Sequence, residues 1–208
     1  MPAVSEAIVR EFFEQHGFLV RQQRKYIARS RDDEDEVDFV VWNPRAEMRP
    51  AMPFVLTPAD LAGVVRAVVV VRGWHTETFT TGTLTNSPEI FRSLEPAVFQ
   101  QMEKAFGGQG PLTKILVVPA LPHGAEARQQ SIELLTAKGI DAVIAFHTLL
   151  ADLIEQVEAN RNYAKSDLLQ VIRILKNYDF LKDPQMELFK ARRPKTSKPK
   201  ACCIASFS

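Results

Sequence analysis

The chain has little cysteine: two residues in 208, Cys202 and Cys203, adjacent to each other near the C-terminus. Such a pair offers neither a disulfide framework for a core nor the spacing of a metal-ligand set. A reducing, intracellular setting is the plain inference, with the cytoplasm as the expected location. Long apolar runs are missing too. None approaches the about 18 residues a membrane span needs, and the N-terminus lacks a basic-then-apolar signal pattern, so no membrane partner is expected. Charge of one sign is absent in bulk, since 26 Lys and Arg against 25 Asp and Glu leave a net charge of +1. That balance neither requires nor forbids a nucleic-acid partner, because a basic face can be offset elsewhere. There are no internal repeats. Gly107-Gly108-Gln109-Gly110 is not a phosphate-binding loop, since Lys114 then enters a strand.

What is present suits one soluble domain with a sizeable core: 46% hydrophobic and 25% charged residues. Ile8, Val9, Phe12 and Phe13 recur at helical spacing, which predicts a helix over about 5–16 with Ser5 as cap and Gly17 as stop. Strands are expected over 18–28, over 36–42 and over 64–72, the last a β-branched run suited to burial on both faces. An acidic turn, Asp32-Asp33-Glu34-Asp35, precedes the second strand. Thr57-Pro58 can open a short helical turn. Residues 76–85 are threonine-rich and read as loop, and Ser87-Pro88-Glu89 starts a helix to about Ala105. A strand at 114–119, a helix at 125–138, a strand at 140–146 and helices at 148–160 and 165–178 follow. In the last helix Leu168, Leu169, Ile172 and Leu175 form an apolar stripe, read as core before interface. Three strands without crossover helices predict an antiparallel meander, and the later alternation predicts parallel crossover units. The expected fold is therefore α/β, a mixed sheet with helices on both faces. Residues 1–183 form the domain, and 184–208 are a basic tail without apolar periodicity, expected to be disordered.

The element order, with Glu6, Gly17-Phe18, Glu36-Val37-Asp38 and Gly139-Ile140-Asp141-Ala142-Val143-Ile144, resembles the PD-(D/E)XK nuclease superfamily, the restriction-endonuclease-like fold. The likeness is greatest to its Holliday-junction-resolvase-like and Mrr-like branches and covers about residues 5–160. It implies a metal-dependent phosphodiesterase site in which an aspartate, here Asp38, shares a cation with a Glu-X-Lys glutamate. Val70-Val71-Arg72 stands where Glu-X-Lys is expected. Valine has no oxygen for magnesium or manganese, and arginine stays protonated and cannot act as a base.

These positions carry plainer readings as well. Asp38 is either a relic of a metal site or a hydrogen-bonded structural acid. Glu6 suits the first turn of a helix through its charge alone. Arg72 either grips a phosphate or pairs with Asp38 in place of a metal. A relocated carboxylate, Glu77 or Glu89, would restore a metal site with Asp38, and His75 and Glu77 otherwise read as solvent-exposed loop. Arg21, Arg24 and Lys25, with Arg72, are the candidate nucleic-acid contacts. Three functions follow: an inactive or altered nuclease fold that binds DNA or RNA or organises a complex, a magnesium-dependent endonuclease, and a protein-interaction scaffold. No cofactor is expected unless the site is active, and a homodimer is a candidate assembly.

Overall fold

A computed structural model describes residues 2–22, 37–47, 52–91 and 112–181. Helix α1 (Pro2–Gln15) buries Val9, Phe12 and Phe13 completely. Burying each phenylalanine contributes about 1.5–3 kcal/mol. The helix ends where Gly17 takes φ +80°, with the Gly17 amide donating to Glu14 O at 3.0 Å and the Phe18 amide to Phe13 O at 3.0 Å. These are the two bonds of a Schellman cap, and the accompanying apolar contact is the Phe13–Phe18 ring pair at 5.2 Å. The cap turns the chain directly into the sheet.

That sheet is mixed and five-stranded, in spatial order β1 (Leu19–Gln22), β2 (Phe39–Trp42), β3 (Arg66–Val71), β4 (Thr113–Val118), β5 (Ala142–Ala145). The first three strands are the antiparallel meander expected from connections without crossover helices, with Val41 opposite Val20 on one side and Ala67 on the other. β4 and β5 run parallel to β3, as expected of crossover units. All six residues of β3 are buried, which accounts for its β-branched composition. Beyond β5, Val55 forms a parallel bridge to Val143, and the Leu56 amide donates to Val143 O at 2.9 Å. The proline-rich connection therefore occupies that edge, a pairing its sequence did not suggest. The turn Pro58–Gly63 follows as a 3₁₀ helix with the capping box of Thr57 and Asp60.

Alternate strand residues divide between two apolar clusters. Val41, Ala67, Val69, Ile115, Val117 and Ile144 pack with α1, with α4 (Phe146–Gln156) and with α5 (Asp167–Asn177). Val40, Val68, Val70, Leu116, Val118 and Val143 pack with Phe79, Leu84, Ile90 and Leu135. Leu135 belongs to α3 (Ala125–Ala137), the crossover between β4 and β5. Within the stripe expected to be core, Leu169 and Ile172 are buried.

Two local expectations are corrected, and a third falls mostly outside the described residues. The threonine-rich stretch is not all loop, because α2 spans Thr81–Asn86. Thr80 Oγ1 caps it by accepting the Thr83 amide at 3.2 Å, and buried Leu84 anchors it. Threonine's low helix propensity is overridden by that cap and anchor. The segment after Ser87 begins as a 3₁₀ turn, Pro88–Ile90, and the rest of the expected helix lies outside the described residues. Ser5 is inside α1, not its cap. The extension of strand one to residue 28, Arg24, Lys25, the acidic turn, Glu36 and the C-terminal tail also lie outside the described residues. Among the described residues, no helix is long and apolar enough to cross a membrane.

Candidate functional site at the end of strand β3

The antiparallel register sets Phe39 opposite Val69, so Asp38, at the bend before β2, sits beside the C-terminal end of β3. Its side chain is only 4% exposed. Burying a carboxylate requires compensating donors or charge. The Val71 amide donates to Asp38 Oδ2 at 2.7 Å, and Arg72 Nη1 lies 3.7 Å from the same oxygen. The first is a short charge-assisted hydrogen bond, and the second is an ion pair beyond hydrogen-bond range.

Arg72 is held by the chain around it. Its own amide continues the ladder to Val117 O at 2.9 Å. Nη1 donates to Val71 O at 3.2 Å, while Nη2 donates to Glu89 O at 3.4 Å and Ile90 O at 3.3 Å. The guanidinium thus joins the end of β3, the bend at Asp38 and the 3₁₀ turn at Pro88–Ile90. Arg72 lies within ion-pair distance of Asp38. Val70 is fully buried in the cluster with Phe79, Leu84, Ile90 and Leu116.

The other sequence candidates are placed separately. Glu6 accepts from Gln22 Nε2 at 2.8 Å and so ties α1 to β1. Glu77 is exposed on a turn, with its amide bonded to Trp74 O at 2.8 Å. Glu89 is exposed and contributes its carbonyl to Arg72. Arg21 is exposed on β1. Among the described residues, no three of His, Cys, Asp and Glu gather as a metal-binding group.

Two arrangements were not anticipated from sequence. The first couples α1 to the exit of β3: Ser5 Oγ lies 2.9 Å from His75 Nε2, and the His75 ring meets Phe146 edge-on at 4.5 Å. Gly73 makes that approach feasible, since a Cβ there would overlap Ser5 Oγ and come within 2.8 Å of Ser5 Cβ. His75 is exposed on a turn, as expected, and is in addition tied to the helical layer. A lone glycine just after a buried strand is a signal of close approach that could have been used. The second joins α1 to α4, where Asp152 Oδ2 lies 2.8 Å from His16 Nε2 and accepts from Gln156 Nε2 at 2.9 Å. Nothing in the sequence spacing of His16 and Asp152 announces that contact.

Comparison of the chain with protein-family models, curated proteins and solved structures finds no match in any of the three.

Proposed function

We propose that the chain is a nuclease-fold protein that has exchanged its metal chemistry for an internal ion pair and acts by binding nucleic acid without cleaving it. The observation that carries this reading is the double engagement of Asp38 Oδ2, by the Val71 amide and by Arg72. A divalent cation of the magnesium type needs several oxygen ligands, usually including one or two carboxylates. Val70 offers no oxygen to such a cation, and Arg72 already places a positive charge 3.7 Å from Asp38 Oδ2, which disfavours a second cation there. The arginine supplies beside Asp38 the positive charge that a cation would supply in a nuclease. An antiparallel meander followed by parallel β4 and β5 is also the arrangement that the likeness to restriction-endonuclease-like proteins implies.

Support for a polyanionic ligand comes from Arg21, exposed on β1, and from Arg24 and Lys25 just beyond it in sequence. Contacts to phosphates release counterions, so affinity should fall steeply with salt. The test is an anisotropy titration against labelled DNA and RNA at several salt concentrations, with magnesium present and the probe analysed for cleavage afterwards. Salt-sensitive binding with intact probe is expected. Absence of salt-sensitive binding would overturn the reading. Cleavage that EDTA and Asp38→Ala both abolish would replace it with the endonuclease reading.

A further inference from the structure

Exposed apolar side chains in the β1–β2 part of the sheet are not scattered. Leu19 is 58% exposed and Trp42 46% exposed. The register sets them directly opposite each other and sets Trp42 opposite Arg66 on β3. Directly paired residues point to the same face, so Leu19, Trp42 and Arg66 form one row. Arg21, Val40 and Val68 form the next row on that face. Arg21 is diagonal to Trp42, a separation of about 7–8 Å that a long side chain spans easily. Of the arginines in these two rows, Arg21 is exposed, while Arg66 is buried and has a partner of its own.

The strand end that carries the tryptophan is braced by the turn after it. Buried Asn43 donates its own amide to Val65 O at 2.8 Å, and its Oδ1 accepts the Arg45 amide at 2.9 Å. The Glu47 amide closes the same turn on Ala62 O at 2.8 Å. Trp42 therefore stands on a strand end braced by its turn, with exposed Arg45 in that turn and exposed Arg21 across the strand. Glu47, exposed on the same turn, is the nearest carboxylate in sequence and has an interaction of its own.

From this juxtaposition we propose that Trp42, paired with Leu19 and diagonal to Arg21, with exposed Arg45 in the turn that follows, is a stacking platform for an unpaired base of a single-stranded nucleic acid. The inference rests on the nucleic-acid reading above and specifies its ligand. A duplex hides the faces of its bases in its own stack, whereas a single strand can lay a base on an exposed indole while its phosphates meet arginines. The nonpolar Leu19 beside the indole extends the flat surface. The arginines distinguish this patch from a purely apolar one that a protein partner would cover.

The test measures anisotropy of a short labelled oligothymidylate and of a duplex of equal length with the wild-type chain, Trp42→Ala and Trp42→Phe. Thermal melting of each protein controls for folding, and Leu19→Ala provides a second variant at the same patch. Trp42→Ala should lose at least about fivefold in single-strand affinity. Trp42→Phe should retain most of it, and duplex affinity should be unchanged. In a Trp74→Phe background, the emission of Trp42 should be quenched as the oligothymidylate binds. If the wild type binds nucleic acid but folded Trp42→Ala and Leu19→Ala hold the single strand equally well, the platform is overturned and the broader reading survives. If the wild type binds neither probe, both fall. Trp42-dependent self-association in light scattering, without nucleic-acid binding, would make the patch a protein interface and overturn the proposal.

Discussion

Arg72 Nη1 stands 3.7 Å from Asp38 Oδ2 while the adjacent Val71 amide donates to that oxygen at 2.7 Å. Two successive residues of one strand end thus serve the same buried carboxylate, one with a dipole and the other with a charge. Their common origin at the end of β3 explains how an acid can sit buried beside an apolar strand.

Restoring the carboxylate that the nuclease resemblance calls for should not restore a site. Val70 is fully enclosed among Phe79, Leu84, Ile90 and Leu116. Val70→Glu would bury an unpaired acid and should cost at least about 3 kcal/mol. Urea denaturation is the measure. Recovery of the lost stability by manganese would show that the acid can reach a cation with Asp38, contrary to this account.

Gly73→Ala should destabilise the chain by about 1–3 kcal/mol, because the added methyl meets Ser5. The clash is specific, so Ser5→Gly combined with Gly73→Ala should recover part of the loss, even though glycine within α1 costs about 1 kcal/mol by itself. If Gly73→Ala costs as much in a Ser5→Gly background as in the wild type, α1 does not approach β3 in this way.

At the α1–α4 contact, Asp152 accepts from Gln156 and meets His16, with only 10% of the aspartate side chain exposed. Asp152→Ala should lower stability by about 1–3 kcal/mol, since it removes the shared acceptor and leaves His16 and Gln156 only their mutual contact at 3.2 Å. Thermal melting reads the effect. A change within experimental scatter would contradict the role assigned to the cluster.

The neighbouring ion pair on α1 should behave differently. Glu14 raises the pKa of the Arg10 guanidinium, first by a side-chain hydrogen bond and then by charge. Yet both side chains are exposed, at 52% and 38%, and solvent screens the pair. Arg10→Ala should change stability by no more than about 0.5 kcal/mol, and added salt should not alter the difference much. A loss as large as that of Asp152→Ala would mean that burial is a poor guide here.

The fold was legible where periodicity and punctuation agreed. The Ile8–Phe13 stripe, the Gly17 stop and the β-branched run at β3 each reflect one local cause, and the strand directions followed from the connections. Strand lengths were overestimated: β2 begins at Phe39, because Asp38 is a bend that turns its carboxylate toward Val71. α2 was missed because its support lies in a Thr80 cap and in Leu84 burial, not in propensity. The pairing of Asp38 with Arg72 was foreseeable, since an acid and a base at neighbouring strand positions have few other ways to be buried. The Ser5–His75 and His16–Asp152 contacts were not, because residues far apart in sequence meet only once the layers pack.

The central claim is that Arg72 provides the compensating charge for Asp38 within the fold. A double-mutant cycle with Asp38→Asn, Arg72→Met and the pair, followed by urea denaturation, tests it most directly. The account expects each single change to destabilise and the double change to cost less than their sum, with a coupling of about 1–3 kcal/mol. Strict additivity would contradict it, leaving Asp38 neutralised by something other than Arg72.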